Sequence, residues 1–284
     1  MATLPNPLPA LAADPSGRSA GLQLPPGRLI DATIDGPWRE PLLWHAGGAA
    51  APGHWAALGA PARRAGLLPV LIDAGGSQGG PEDWQLRPGR TSYPGDHDAE
   101  EVLAEYWEDE APAGEEDAEA YGHDDELAGL LAPFGFDWPG LAPAGPLTVD
   151  PDTCAARLAD SLADGSPARS TGGPLLALVP ARRSADIPAA IGWSGPLNHE
   201  YDVARLCAVL RSWEDRFGIR VVALGFDTLV VSVAAPPADL AGAEALAAEH
   251  FAFCPDNVTQ SGSGGLGDYA KDLVGERVWH FWWD

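Results

Sequence analysis

The chain has 284 residues, 45% of them hydrophobic, which is ample for a real core and excludes a wholly disordered protein. Its formal net charge is −24, from 41 acidic against 17 basic residues, so a polyanion is repelled and neither nucleic acid nor anionic membrane is expected as a partner. No apolar run approaches the roughly 20 residues that span a bilayer.

The three cysteines, Cys154, Cys207 and Cys254, have no paired spacing, and the N-terminus lacks a basic region and is broken by Pro5, Pro7 and Pro9. Both features predict reduced thiols in a cytoplasmic protein without a signal peptide. A single lysine, Lys271, beside 16 arginines reads as the codon bias of a GC-rich bacterial genome.

In chain order, residues 1–27 are rich in Pro, Gly and Ala and predict a mobile tail. Residues 28–109 read as a small, irregular α/β module. It holds short strands over 29–34 and 41–44, and a helix over 54–65 with Trp55, Leu58 and Ala62 at helical spacing. The run LLPVLI at 67–72 is a buried strand between Gly66 and the glycine cluster 75–80. Over 98–108 an amphipathic helix gathers Val102, Leu103, Tyr106 and Trp107 on one face.

Residues 110–132 read as an acidic linker. The stretch 96–126 contains 15 Asp or Glu and no Lys or Arg, a solvated run first and an interaction segment second. Its part from 110 to 126 is expected to be poorly ordered.

Residues 133–284 read as a C-terminal α+β domain with its core at 174–284. A loop with Phe134, Phe136 and Trp138 leads to a helix over about 151–163, capped by Asp150 or Asp152 and opened by Pro151. The run LLALV at 175–179 is a strand. The most regular helix spans 202–217: Val203, Leu206, Leu210, Trp213 and Phe217 trace one stripe, Asp202 caps its start and Gly218 its end. Arg211 and Asp215 are spaced to pair on its wet face. A hairpin over 220–234, a helix over 238–250, a short helix over 268–274 and a strand over 277–283 follow. The order β-α-β-β-α-(α)-β predicts a ferredoxin-like, split βαβ antiparallel sheet with both main helices on one face.

The candidate functional cluster is His199, Glu200, His250, Cys254 and Asp256. In EHFAFCPD, a Cys beside a His suggests a nucleophile with its base, or part of a metal site. Cys254 follows a helix C-terminus, however, where the dipole opposes a thiolate, so a buried thiol is the favoured reading. Asn198 and Asp202 suit capping, which leaves His199 and Glu200 as the freer pair. The sequence Gly262 to Gly267 matches GxGxxG but follows no strand, and the cluster at 75–80 lacks the Lys-Ser/Thr of a phosphate loop. Neither a cofactor nor a metal is expected. Trp282 and Trp283 are neighbours on a strand and cannot enter the same core.

The runs LALVPARRSAD, GWSGPLNHEYDVARLCAVLRSWEDRFGIRVVALGF, AAEHFAFCPDNV and VWHFWWD resemble the bacterial family known as domain of unknown function 4253. The resemblance covers about 174–284, and more loosely GLLPVLID and VLAEYWED upstream. It implies a domain shape and a bacterial cytosolic setting, but no activity. The reading that results is a non-catalytic interaction or regulatory module, of which an immunity-type partner for a toxin is one form, acting on a basic protein partner. The alternative is a small-molecule enzyme or ligand sensor using a cleft between the two modules.

Overall fold

The computed structural model describes residues 5–74, 78–111, 124–165, 173–260, 262 and 264–284; most of the stretch read as an acidic linker lies outside them. The strands are β1 (Gly27–Ile30), β2 (Ala32–Thr33), β3 (Gly36–Pro37), β4 (Leu43–Ala49), β5 (Leu68–Ile72), β6 (Leu175–Val179), β7 (Arg220–Leu224), β8 (Thr228–Ser232) and β9 (Val278–Trp282). The helices are α1 (Leu8–Ala13), α2 (His54–Arg64), α3 (Ala99–Glu110), α4 (Asp124–Leu130) and α5 (Pro151–Ala163). They continue with α6 (Ile187–Ile191), α7 (Val203–Phe217), α8 (Leu240–Phe253), α9 (Asp256–Thr259) and α10 (Leu266–Leu273).

Seven strands form one mixed sheet in the order β1-β4-β6-β5-β7-β8-β9. The ferredoxin-like order expected for 174–284 is not the one adopted. β5, from the N-terminal part, lies between β6 and β7, antiparallel to the first and parallel to the second. The physical reason is in the strands themselves. β5 is buried at every position and β6 and β7 at nearly every one, and strands apolar on both faces belong in a sheet centre covered on both sides. Strands assigned from sequence to two units therefore share one sheet.

One face is covered by α3, α6, α7, α8 and α10. Val70, Ile72, Ala177, Val179, Val221, Val231 and Phe281 point into it. On it α7 and α8 lie together, as expected. Asp202 caps α7 by accepting from the Ala204 amide, and Gly218 ends it at φ 62°, where an added Cβ would lie 2.4 Å from Leu147. The second face is covered by α2 and α5 over Leu71, Leu176 and Val222, and by α1 over Trp44 and Leu178. The expected tail is packed there: Leu8, Leu11 and Leu22 are buried.

Arg211 does not pair with Asp215. It forks onto Asp186 at 2.5 and 2.8 Å and stacks on Tyr93, while Asp215 takes Arg183. Trp279, Phe281 and Trp283 enter the first core, and Trp282 turns to the other side.

Candidate functional site

α8 is apolar nearly all round, and its C-terminal half is buried on every side. His250 therefore sits among rings, 5.0 Å from Trp213, 4.7 Å from Trp279 and 4.9 Å from Phe281. Its Nδ1 lies 3.0 Å from the Tyr269 hydroxyl, and its Nε2 has no partner among the described residues. Burial, helped by the charge of Arg216, lowers its pKa to about 3, so the imidazole is neutral.

Cys254 caps the same helix. Its S–H donates to the Trp282 carbonyl at 3.0 Å, and burial pushes the thiol up to about 12. Asn257 completes the arrangement. Its amide nitrogen donates to the His280 carbonyl at 2.6 Å, and its oxygen accepts from the Trp282 amide at 3.3 Å. A side-chain amide thus pairs with the outer edge of β9, which blunts an otherwise open sheet edge. Asp256 accepts from the Asp284 amide and from Gln260. The segment EHFAFCPD, with Asn257 after it, joins α8 to the last strand.

His199 and Glu200 lie on the other side of this helix end. The His199 ring packs 4.8 Å from Tyr106, and its Nδ1 is 3.9 Å from Glu110. Burial lowers the His199 pKa although the carboxylates of Glu200, Asp256 and Asp109 favour its charge. Burial, then the charges of Asp256 and Asp109, raises Glu110. Glu200 accepts from the Tyr106 hydroxyl at 2.6 Å and from the Asp202 amide at 2.8 Å, and pairs with Arg205 at 2.8 Å. It is the node that fastens α3 to the start of α7.

The five candidates thus fall into two sets. His250 and Cys254 are core groups linked through Asn257 and Tyr269, while His199, largely buried, lies beside Glu110 and feels Asp256. Among the described residues no group of three or more His, Cys, Asp or Glu side chains is placed to hold a metal ion. The glycine motif at 262–267 follows α9, not a strand, and opens α10. Gly265, at φ 125°, lies so close to Leu130 that an added Cβ would meet its carbonyl at 2.8 Å, so this glycine packs against the chain.

One feature escaped the sequence, and a second was legible there only as part of an acidic run. Glu249 is fully buried and accepts from Trp213 Nε1 at 2.7 Å, the Ala142 amide at 2.7 Å, and Arg216 at 2.8 and 2.5 Å. An acid in the apolar C-terminal half of this helix was the available signal, because a buried charge requires a partner. The second feature is the outer face of α3. Glu100, Glu101, Glu105, Glu108 and Asp109 are exposed there, while Val102, Leu103, Tyr106 and Trp107 are buried beneath them. Trp107 also donates to the Phe136 carbonyl at 2.8 Å. Arg205 pairs with Glu105.

Residues 175–284 match the family described as domain of unknown function (DUF4253). No curated protein and no solved structure matches the chain.

Proposed function

We propose that the protein is a non-catalytic interaction module that presents the outer face of α3 to a basic protein partner. The observation that carries this reading is the rigid display of exposed carboxylates on α3, anchored underneath by Tyr106 and Trp107. Preorganised charge of one sign attracts and orients a partner of the other sign, and does so without a large apolar patch. The burial of His250 and Cys254, in protonation states unsuited to acid-base or thiolate chemistry near pH 7, supports binding over catalysis.

The test separates this face from mere net charge. Glu101→Lys/Glu108→Lys/Asp109→Lys and the control Asp31→Lys/Asp35→Lys/Glu40→Lys change the charge equally, at exposed positions in both cases. Binding of a lysine-rich polypeptide to the α3 variant is expected to weaken by about tenfold or more, and to the control by less than about threefold. Equal losses would refute the assignment.

A further inference from the structure

The second face of the sheet carries a groove of about 800 Å³ between α2 and α5, a size that suits a small ligand. Its origin can be followed from the sequence. Pro69 has no amide proton, so the parallel pairing of β5 with β7 starts only at Leu71↔Ala223. Before that point the strands part. The Val221 amide is satisfied by Ser184 Oγ at 2.7 Å instead. Above the gap the two helices line the groove with small residues, Gly59 and Ala60 on α2 and Ala155 and Ala156 on α5, so no side chain fills the space. Trp55, Leu68 and Pro69 add apolar lining.

The charge of the groove runs against that of the molecule. Of the chain's 17 basic residues, Arg63, Arg64, Arg157, Arg182 and Arg220 line it. The four acids there are already engaged. Asp152 holds Arg63 at 2.7 Å and Arg220 at 2.8 Å, and Glu214 lies 3.5 Å from Arg220. Asp150 caps α5, and Asp160 accepts from the Gly53 amide at 2.7 Å. Burial pushes Asp152 up, but the hydrogen bonds from Arg63 and Arg220 outweigh it and hold the carboxyl below its usual range. Arg64 on α2, Arg157 on α5 and Arg182 in the loop after β6 are exposed and have no ion-pair or hydrogen-bond partner among the described residues. Three exposed arginines thus line one cleft that also has an apolar, partly aromatic lining.

We infer that this groove binds a small organic anion, with a phosphate-type head held by Arg64, Arg157 and Arg182 and a flat apolar body lying against Trp55 and the small-residue walls. Guanidinium forks suit phosphate oxygens, and the small-residue walls leave room for a ring. A small ligand also escapes most of the repulsion that the net charge imposes on a polyanion. The inference is independent of the reading of α3.

Calorimetric titration of the full chain at about 0.15 M salt tests it, with ATP as head plus ring, pyrophosphate as head alone and adenosine as ring alone. ATP is expected to bind at micromolar concentration, pyrophosphate about tenfold more weakly, and adenosine not measurably. Each of Arg64→Ala, Arg157→Ala and Arg182→Ala should weaken ATP by about tenfold, with the melting temperature unchanged. Trp55→Leu should weaken ATP but not pyrophosphate. Failure of pyrophosphate to bind at millimolar concentration would overturn the inference. So would ATP binding to the triple arginine variant within about threefold of the unaltered chain.

Discussion

The two faces of the sheet differ in what fills them. Over the first, Trp213, Phe217, His250, Phe253, Trp279 and Phe281 interlock at ring distances of 4.7 to 5.6 Å, and a buried ion pair ties α7 to α8. Over the second, α2 and α5 meet through alanines and glycine, and the room left is lined by arginine. Aromatic bulk on one side and small residues on the other mean that one face holds the fold while the second can give up volume. Residues that look chemical by type, His250 and Cys254, belong to the face that holds the fold.

The sharpest way to break this contrast is Trp213→Ala. The indole is fully buried, stacks 5.4 Å from Phe281 and donates to Glu249, so its loss should cost about 4 kcal/mol. That is a large share of the 5–15 kcal/mol typical of a domain. A thermal midpoint within a few degrees of the unaltered chain would show that the first face is not what holds the fold.

Glu249→Ala comes next, at about 3 kcal/mol, because it leaves Arg216, largely buried, without its anion. Urea unfolding measures it, and a loss below about 1 kcal/mol would mean that water already serves both groups.

The third effect is a pH dependence. His250 has a folded pKa of about 3 against an ordinary 6.5, so below pH 6.5 the unfolded chain binds the additional proton. Its contribution is complete above pH 6.5 and is lost progressively as pH falls towards 3. His250→Phe should flatten that part of the stability curve; an unchanged slope would assign it to the carboxylates alone.

Smaller still is Arg211→Ala, at about 1 kcal/mol, because the fork onto Asp186 is partly buried. The helix pattern alone puts Arg211 on a wet face and makes its loss nearly silent, so the measured midpoint distinguishes the two views.

What could be read in advance was local. The stripe from Val203 to Phe217 with its two caps gave α7 its ends, because periodicity and capping act within a few residues. The opposition between a helix C-terminus and a thiolate likewise favoured a buried thiol at Cys254, and that side chain is buried. What could not be read was the choice of strand partners. β5 enters between β6 and β7 from more than a hundred residues away, and no local rule names a strand's neighbour. The doubly apolar runs LLPVLI and LLALV did mark central strands, which an antiparallel sheet covered on one face does not accommodate. Glu200 looked free because Tyr106, its hydroxyl donor, is 94 positions away. The arginine groove was invisible for the same reason: Arg64, Arg157 and Arg182 are assembled only by the fold.

Thiol labelling tests the contrast between the faces most directly, because the chain carries its own probes. Cys154 is half-buried on α5 of the second face, whereas Cys207 and Cys254 are buried in the first core. Burial pushes the Cys254 thiol up to about 12. With iodoacetamide at neutral pH under native conditions, Cys154 is expected to label first, with Cys207 and Cys254 following together at the much slower rate of unfolding. Alkylation of Cys254 as fast as Cys154, with Cys207 still protected, would contradict the account and return the His250–Cys254 pair to chemistry.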